Sequence, residues 1–247
     1  MLPVRITIMS YNLWNVVRWK EREPALGKFL TRFSPDILCT QEISDEAIDC
    51  ISENLESHGH VMDELPGWHC ESNIFWNREY FSEVGHGLEK MEMPEKERGL
   101  FWVRLKFTGS AKTILVATAH FTYQGNPQEN ESGYTPRNQE ARQTVANLKR
   151  LGHENETIFF MGDLNDPVIP RVFFPQAGYE SCFQTLGLLC PSTYPVVPTD
   201  ISLSDHQTLD WIFCNGKAKI IAATSPQFYY QGVAPSDHWP LQAVYEI

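Results

Sequence analysis

The 247-residue sequence lacks several common signatures, and each absence closes a class of function. No stretch of about 20 apolar residues occurs, so no membrane-spanning helix is expected. The six cysteines, Cys39, Cys50, Cys70, Cys182, Cys190 and Cys214, contain no Cys-x-x-Cys pair, which leaves a structural zinc site unsupported. There is no His-Glu-x-x-His, no Walker A loop, no dinucleotide-binding glycine fingerprint and no Gly-x-Ser-x-Gly elbow. Basic charge is also scarce: 20 Lys and Arg stand against 31 Asp and Glu, a formal net charge of −11. A protein that grips long duplex DNA usually carries a basic face. None is visible as a run, so strong duplex binding is not expected. The closest cluster, Arg18, Lys20 and Arg22 around Trp19, reads as a solvated loop or helix face.

No Pro/Gly/Ser linker, fixed-period repeat or low-complexity tract divides the chain. One domain over residues 1–247 is expected, and a monomer. The first ten residues are too polar and too strand-like for a secretory signal. Cys39 and Cys214 lie inside apolar runs as buried thiols. Reduced cysteines and a cytoplasmic setting are the expectation.

What is present is the composition of a folded protein, 42% apolar and 12% aromatic. Alternation predicts a strand from Val4 to Asn12. Leu26, Phe29, Leu30 and Phe33 share one face of a predicted helix over Glu23–Phe33, which Ser34-Pro35-Asp36 stops. A short strand follows over Ile37–Glu42, then a helix over Asp45–Leu55. Strands are predicted at His69–Trp76, Leu100–Phe107 and Lys112–Phe121. A helix spans Pro136–Leu151, a buried strand Thr157–Met161, and a short helix begins near Arg171–Phe174. Late strands are expected at Leu209–Cys214, Lys219–Thr224 and Leu241–Ile247. Gln124–Thr135 and Pro191–Gln207 read as surface loops beside chemically interesting residues.

Polar groups close several of these apolar runs. The dipeptide Asp237-His238 follows a Pro-containing turn and leads into the last strand. Glu42 ends Ile-Leu-Cys-Thr-Gln-Glu at the mouth of a strand. Magnesium prefers one or two carboxylates plus waters and phosphate oxygens, so one well-placed Glu can suffice. Alone, Glu42 also reads as the capping acid of the next helix. His120 follows Leu-Val-Ala-Thr-Ala and alone also reads as a hydrogen-bonded structural residue. Asp163 and Asn165, two apart in Gly-Asp-Leu-Asn-Asp-Pro, share one face if extension continues. The alternative is an Asx turn before Pro167. Asp210 opens a buried strand and needs a partner, for which His238 is suited. Ser204-Asp205-His206 repeats the Ser-Asp-His triplet of residues 236–238 but sits in a polar loop, so the second copy takes the site role. Trp14, Tyr123, Tyr194 and Trp239 could stack on a base or serve packing alone.

The ordered set Ser10-Tyr11-Asn12-Leu13-Trp14, Gln41-Glu42, Thr118-Ala119-His120, Gly162-Asp163-Leu164-Asn165, Leu209-Asp210-Trp211-Ile212 and Ser236-Asp237-His238 resembles the endonuclease/exonuclease/phosphatase superfamily. Ile74–Arg78 and Arg98–Trp102 look like its connecting strands. Ser-Asp-His-Trp is also similar to the tyrosyl-DNA phosphodiesterase branch, but Gly162–Pro167 departs from that branch's Gly-Asp-Thr-Asn-x-x-Asp loop. The resemblance implies a deoxyribonuclease-I-like α+β fold, a four-layer α/β/β/α sandwich of two mixed sheets. It implies magnesium, with manganese as a substitute, and phosphoester hydrolysis by an in-line water. On that resemblance Glu42, Asn12 and Asp237 serve the metal, and Asp163 activates water. Asn165 and His120 contact phosphate, and His238, held by Asp210, neutralises it. The substrate stays open and includes nucleic-acid ends and nucleotides. The alternative is a catalytically inactive phosphate-binding or interaction module on the same fold.

Overall fold

The computed structural model describes residues 3–196 and 206–247. In chain order its elements are β1 (Arg5–Asn12), α1 (Trp19–Phe33), β2 (Ile37–Gln41), α2 (Asp45–Asn54), β3 (His58–His60), α3 (Gly67–Cys70) and β4 (Ser72–Asn77). There follow β5 (Phe81–Lys90), β6 (Gly99–Phe107), β7 (Thr113–His120), α4 (Pro127–Ser132), α5 (Arg137–Leu151) and β8 (Thr157–Asp163). The last are α6 (Ile169–Gln176), β9 (Glu180–Ser181), α7 (Cys182–Thr185), β10 (Asp210–Cys214), β11 (Lys219–Thr224) and β12 (Leu241–Glu246).

The strands form two six-stranded mixed sheets, ordered β11-β12-β1-β2-β4-β3 and β5-β6-β7-β8-β10-β9. Each sheet has one parallel pair, β1 with β2 and β7 with β8. Parallel neighbours need a crossover connection, and α1 and α5 lie on the two connections. Period-two alternation then builds the layers. Ile6 and Ile8 of β1, Ile37 and Cys39 of β2, Val116 of β7 and Ile212 of β10 share the core between the sheets. Met9 and Tyr11 point the other way, against Leu26, Phe29 and Leu30 of α1 and Ile51 of α2. On the second sheet, Ala117, Phe160 and Phe213 meet Leu148 of α5 and Phe174 of α6. This is the expected α/β/β/α sandwich. Phe29 has no exposed surface, so Phe29→Ala should cost ~3–5 kcal/mol.

The structure differs from the expected elements in places. The predicted strand His69–Trp76 begins as the short helix α3, because Pro66 opens a helical turn whose amides bond back to Leu65 and Pro66. Strand β5 shows little alternation in sequence. Its Gly87 lies under Trp102, where an added Cβ would come within 2.9 Å of the indole. The polar stretch Gln124–Thr135 contains α4, capped by the Asn126 side chain accepting from Glu129 N–H. Arg22 does not lie on a solvated face. It is buried on α1, and its guanidinium donates to the carbonyls of Leu13, Trp14, Asn15, Val17 and Pro235. Those five bonds satisfy the buried cation and tie the β1–α1 loop to the segment before Ser236. Among the described residues no helix is long and apolar enough to cross a membrane.

Candidate active site

Strand register gathers the polar groups at one end of the sandwich. Within the second sheet, parallel pairing sets His120 opposite Asp163, and antiparallel pairing sets Asp210 opposite Asp163. Three titratable groups thus form one row across β7, β8 and β10. In the first sheet Asn12 pairs with Gln41, so Glu42 follows directly beside Asn12. The Asn12 side chain spans the two sheets: its Nδ2 donates to Glu42 Oε1 at 3.1 Å and to Asp163 Oδ2 at 3.0 Å. The Trp14 N–H donates to Asn12 Oδ1 at 2.9 Å, which fixes which end of the amide is oxygen. A second tie runs from Gln41 Nε2 to Thr118 Oγ1 at 2.8 Å.

The strand ends are shaped for this convergence. A Cβ on Gly162 would fall 2.0 Å from the Ala119 carbonyl oxygen, so only glycine lets β8 lie this close to β7 before Asp163. Glu42 has φ +49°, a left-handed turn that carries its carboxylate out of the ladder. Asp237 and His238 lie in the turn before β12 rather than on a strand. Ser236 Oγ donates to the Asn12 carbonyl at 2.7 Å and accepts from the His238 N–H at 3.2 Å, which fastens that turn to β1.

Extension does not continue from Asp163 to Asn165. The Asn165 N–H donates to Asp163 Oδ1 at 2.9 Å, and Asn165 adopts φ +49°. That is an Asx turn, whose internal hydrogen bond outweighs strand continuation once β8 has no partner ahead. Asn165 still lines the cleft, with Nδ2 donating to the Phe121 carbonyl.

Two imidazoles flank Asp163. His238 Nδ1 is 2.8 Å from Asp210 Oδ2, and His120 Nδ1 is 2.7 Å from Glu71 Oε1. Carboxylates only accept, so Nδ1 carries the proton in both. Each Nε2 then faces Asp163 Oδ2, at 3.8 Å from His238 and 3.5 Å from His120. Burial alone would lower the His238 imidazolium pKa, but Asp210 and Asp163 outweigh it and hold the ring charged well above its ordinary range. Burial and Arg98 both lower His120, while Glu71 and Asp163 raise it, with a net upward shift. Burial, with Glu42 and Asp163 nearby, raises Asp237 to about 6 despite the His238 cation.

All eight predicted site residues are thus brought together, with Asp210 behind His238 and Asn12 beneath Glu42 and Asp163. Glu42, His120, Asp163, Asn165, Asp237 and His238 line a cleft of about 410 Å³ with Trp14, Arg98, Tyr123, Gln124, Tyr194, Gln207 and Leu209. Trp239 is instead buried, packing with Val196 and Ala234. Ser204 and Asp205 of the repeated triplet lie outside the described residues, and His206 is exposed. Sequence reasoning gave no role to Glu71, Arg98 or Ser236. Glu71 stands directly before a strand and Arg98 directly before Gly99, the same end-of-run position that marks the others.

The metal question turns on the donor set. Glu42, Asp163 and Asp237 face one cleft, and Arg98 is committed to Glu71 at 2.9 Å. Carboxylates lining one open cleft suit a hard divalent cation that keeps several waters. Asp163, Asp210 and His238 are the one set of three such side chains, among the described residues, with atoms all within 4.8 Å. That set is spent on its own ion pair, so Glu42 and Asp237 are the better donors.

Two mixed sheets packed face to face, with a carboxylate–imidazole cleft where their strand ends meet, define the deoxyribonuclease-I-like class. A sequence model described as the Endonuclease/Exonuclease/phosphatase family matches residues 9–238, and the chain belongs to that family. Similar solved structures include an endonuclease/exonuclease/phosphatase family protein from Bacteroides thetaiotaomicron, with TM-score 0.81 and 18% identity over 100% of this chain and 99% of that one. A humanized D. rerio TDP2 carrying 14 mutations has TM-score 0.80 and 17% identity over 98% and 99% of the two chains. The Bacteroides thetaiotaomicron mannosyl-6-phosphatase Bt3783 has TM-score 0.80 and 19% identity over 97% and 99%. No curated protein matches the sequence.

Proposed function

We propose that the protein is a divalent-metal-dependent phosphoester hydrolase, acting as a single domain and a monomer. The observation that carries this reading is Asp163 set between two carboxylate-backed imidazoles at a shared cleft. Glu42 and Asp237 would hold a magnesium or manganese ion, which when bound neutralises phosphate charge and polarises phosphorus. The Asn12 Nδ2 donates to Glu42 and Asp163 and its Oδ1 accepts from the Trp14 N–H, so Asn12 orients Glu42 beside the ion and keeps a second oxygen lone pair for it.

The remaining steps belong to the chain itself. Phosphoryl transfer demands alignment and charge neutralisation more than covalent chemistry. Asp163 positions the attacking water in line with the leaving group and accepts its proton. His238 donates from Nε2 to a phosphoryl oxygen and neutralises the charge that builds there. His120, backed by Glu71, donates from its own Nε2 to phosphate or to the leaving oxygen. Asn165 contributes its amide to the phosphoryl oxygens. A catalytically inactive module would be expected to lack one of Glu42, Asp163 or His238, and all three are present.

The test is release of nitrophenol from a chromogenic phosphodiester and its monoester, with magnesium and with EDTA. Wild type should turn over only with the metal, and His238→Ala should lose the activity. Turnover in EDTA, or an undiminished His238→Ala protein, contradicts the proposal.

A further inference from the structure

The charge inventory of the cleft narrows its ligand. Six lining side chains carry charge or can: Glu42, Asp163 and Asp237 on one side, Arg98, His120 and His238 on the other. Even with both imidazoles protonated, three positive groups face three carboxylates. Arg98 is already committed, to Glu71 at 2.9 Å and through Nη1 to the Phe121 carbonyl at 3.1 Å. Among the described residues no other Lys or Arg lines the cleft. Residues 197–205, which join two lining segments in sequence, contain Asp200 and Asp205 but no Lys or Arg. Arg18 lines a small neighbouring pocket that shares Trp14, and it pairs with Glu21. A bound divalent cation therefore compensates one phosphate. A second would be desolvated beside carboxylates with no cation to meet it, a penalty that excludes as effectively as a clash.

The uncharged part of the lining is aromatic and amide. Tyr123 is 48% and Tyr194 is 37% exposed. The Tyr194 ring lies 4.9 Å from the His238 ring, which puts a flat face beside the reacting group. Trp14 is braced by the Arg22 guanidinium, 5.2 Å from its ring centre. Gln124 Nε2 reaches Gln207 Oε1 at 3.2 Å and the Asn165 carbonyl at 3.0 Å, a linked amide pair along the cleft. Rings of this kind stack on sugars or bases, and amides bond to hydroxyls.

We propose that the cleft takes a ligand with a single phosphate on an otherwise uncharged, flat-faced, hydroxylated group, a nucleoside or a sugar, and rejects bisphosphates and polyphosphates. This rests on the hydrolase reading for turnover but not for binding.

Phosphonates separate the two, because they contain no ester bond to the reacting phosphorus. Isothermal titration of the intact protein in magnesium should give phenylphosphonate at least tenfold tighter than methylphosphonate. A second anion, in 1,3-phenylenediphosphonate, should weaken binding at least tenfold. Tyr123→Ala should erase most of the phenyl advantage, read as the ratio of phenylphosphonate to methylphosphonate affinity. Equal or tighter binding of the diphosphonate, or no phenyl preference, overturns the inference. Phosphate release from thymidine 5′-monophosphate and glucose 6-phosphate assigns the source of the flat face. A faster rate on thymidine 3′,5′-bisphosphate than on either also overturns it. If the phosphonate order holds but no ester turns over, the hydrolase reading fails and this one stands.

Discussion

The two imidazoles beside Asp163 are built alike and insulated differently. His238 leans on Asp210, which is fully buried and has no other hydrogen-bond partner for its carboxylate among the described residues. His120 leans on Glu71, which is partly exposed and also pairs with Arg98. One dyad is an exclusive pair inside the protein. The other shares its carboxylate with a second cation that pushes the imidazole's charge back down. Strength of a charge partner depends on exclusivity and burial as much as on distance, since the two Nδ1–oxygen distances differ by only 0.1 Å (2.8 against 2.7).

The largest expected contrast is in turnover. Asp210→Asn keeps the shape but replaces an acceptor-only group with one that can present N–H to Nδ1, so the ring loses its tautomer and its charge. A loss in kcat of about 10³- to 10⁴-fold is expected by analogy with orienting carboxylates elsewhere. Glu71→Gln should cost only about 10- to 100-fold, the usual scale for an outer partner. Equal losses in steady-state kinetics would erase the distinction between the dyads.

Stability should rank the same way by a smaller margin. His238→Ala strands Asp210 as an unpaired buried charge, and breaking such a pair costs ~3–5 kcal/mol. His120→Ala leaves Glu71 with Arg98, and a cost of ~1.5–3 kcal/mol is expected, that of one lost hydrogen bond to a charged group. Urea denaturation midpoints compare the two directly, and a more damaging His120→Ala would reverse the ranking.

This difference was only half legible in the sequence. Asn12, Glu42, His120, Asp163 and Asp210 announce themselves because each ends or opens an apolar run, and strand order then aligns them. The Asp210–His238 pair followed from the need of a buried acid for a partner. Glu71 holds the same position, directly before β4, but alternation predicts a strand already running through it from His69, and that hides the position. Arg22 looked like part of a basic surface because composition cannot tell a solvated cation from one wrapped by five carbonyls. The Asx turn at Asn165 was visible as an alternative to extension. Only the end of the β8 ladder decides between them, and that is a tertiary fact.

Asp237 offers a smaller test through pH. Its pKa is raised from 3.8 to about 6, so the folded state holds a proton that the unfolded state releases across that interval. The metal-free protein should therefore lose stability from this group as pH rises from about 4 to 6, and the loss should be complete above 6. A cation held by the ionised carboxylate reverses the effect. The rise in Tm on adding magnesium should be larger at pH 7.5 than at pH 5, and Asp237→Asn should flatten that dependence. A magnesium shift that grows on acidification would place the ion elsewhere.

The finest test addresses insulation itself. Arg98 lowers the His120 pKa and also lowers that of Glu71, so it weakens the imidazolium while strengthening the carboxylate that holds it. Removing the arginine charge with Arg98→Gln leaves Glu71 to His120 alone, which recreates the exclusive arrangement of the other pair. His120 should then titrate at higher pH than in wild type, while His238, whose shift comes from Asp210 and Asp163, should stay where it was. Both rings contribute stability below their unfolded pKa near 6.5 and lose it as pH passes the folded value. In Arg98→Gln the His120 share should thus persist to higher pH. Imidazole NMR titration of the metal-free protein resolves the two rings. An unmoved His120 would mean that burial, which opposes charge in both, sets its titration rather than the shared carboxylate.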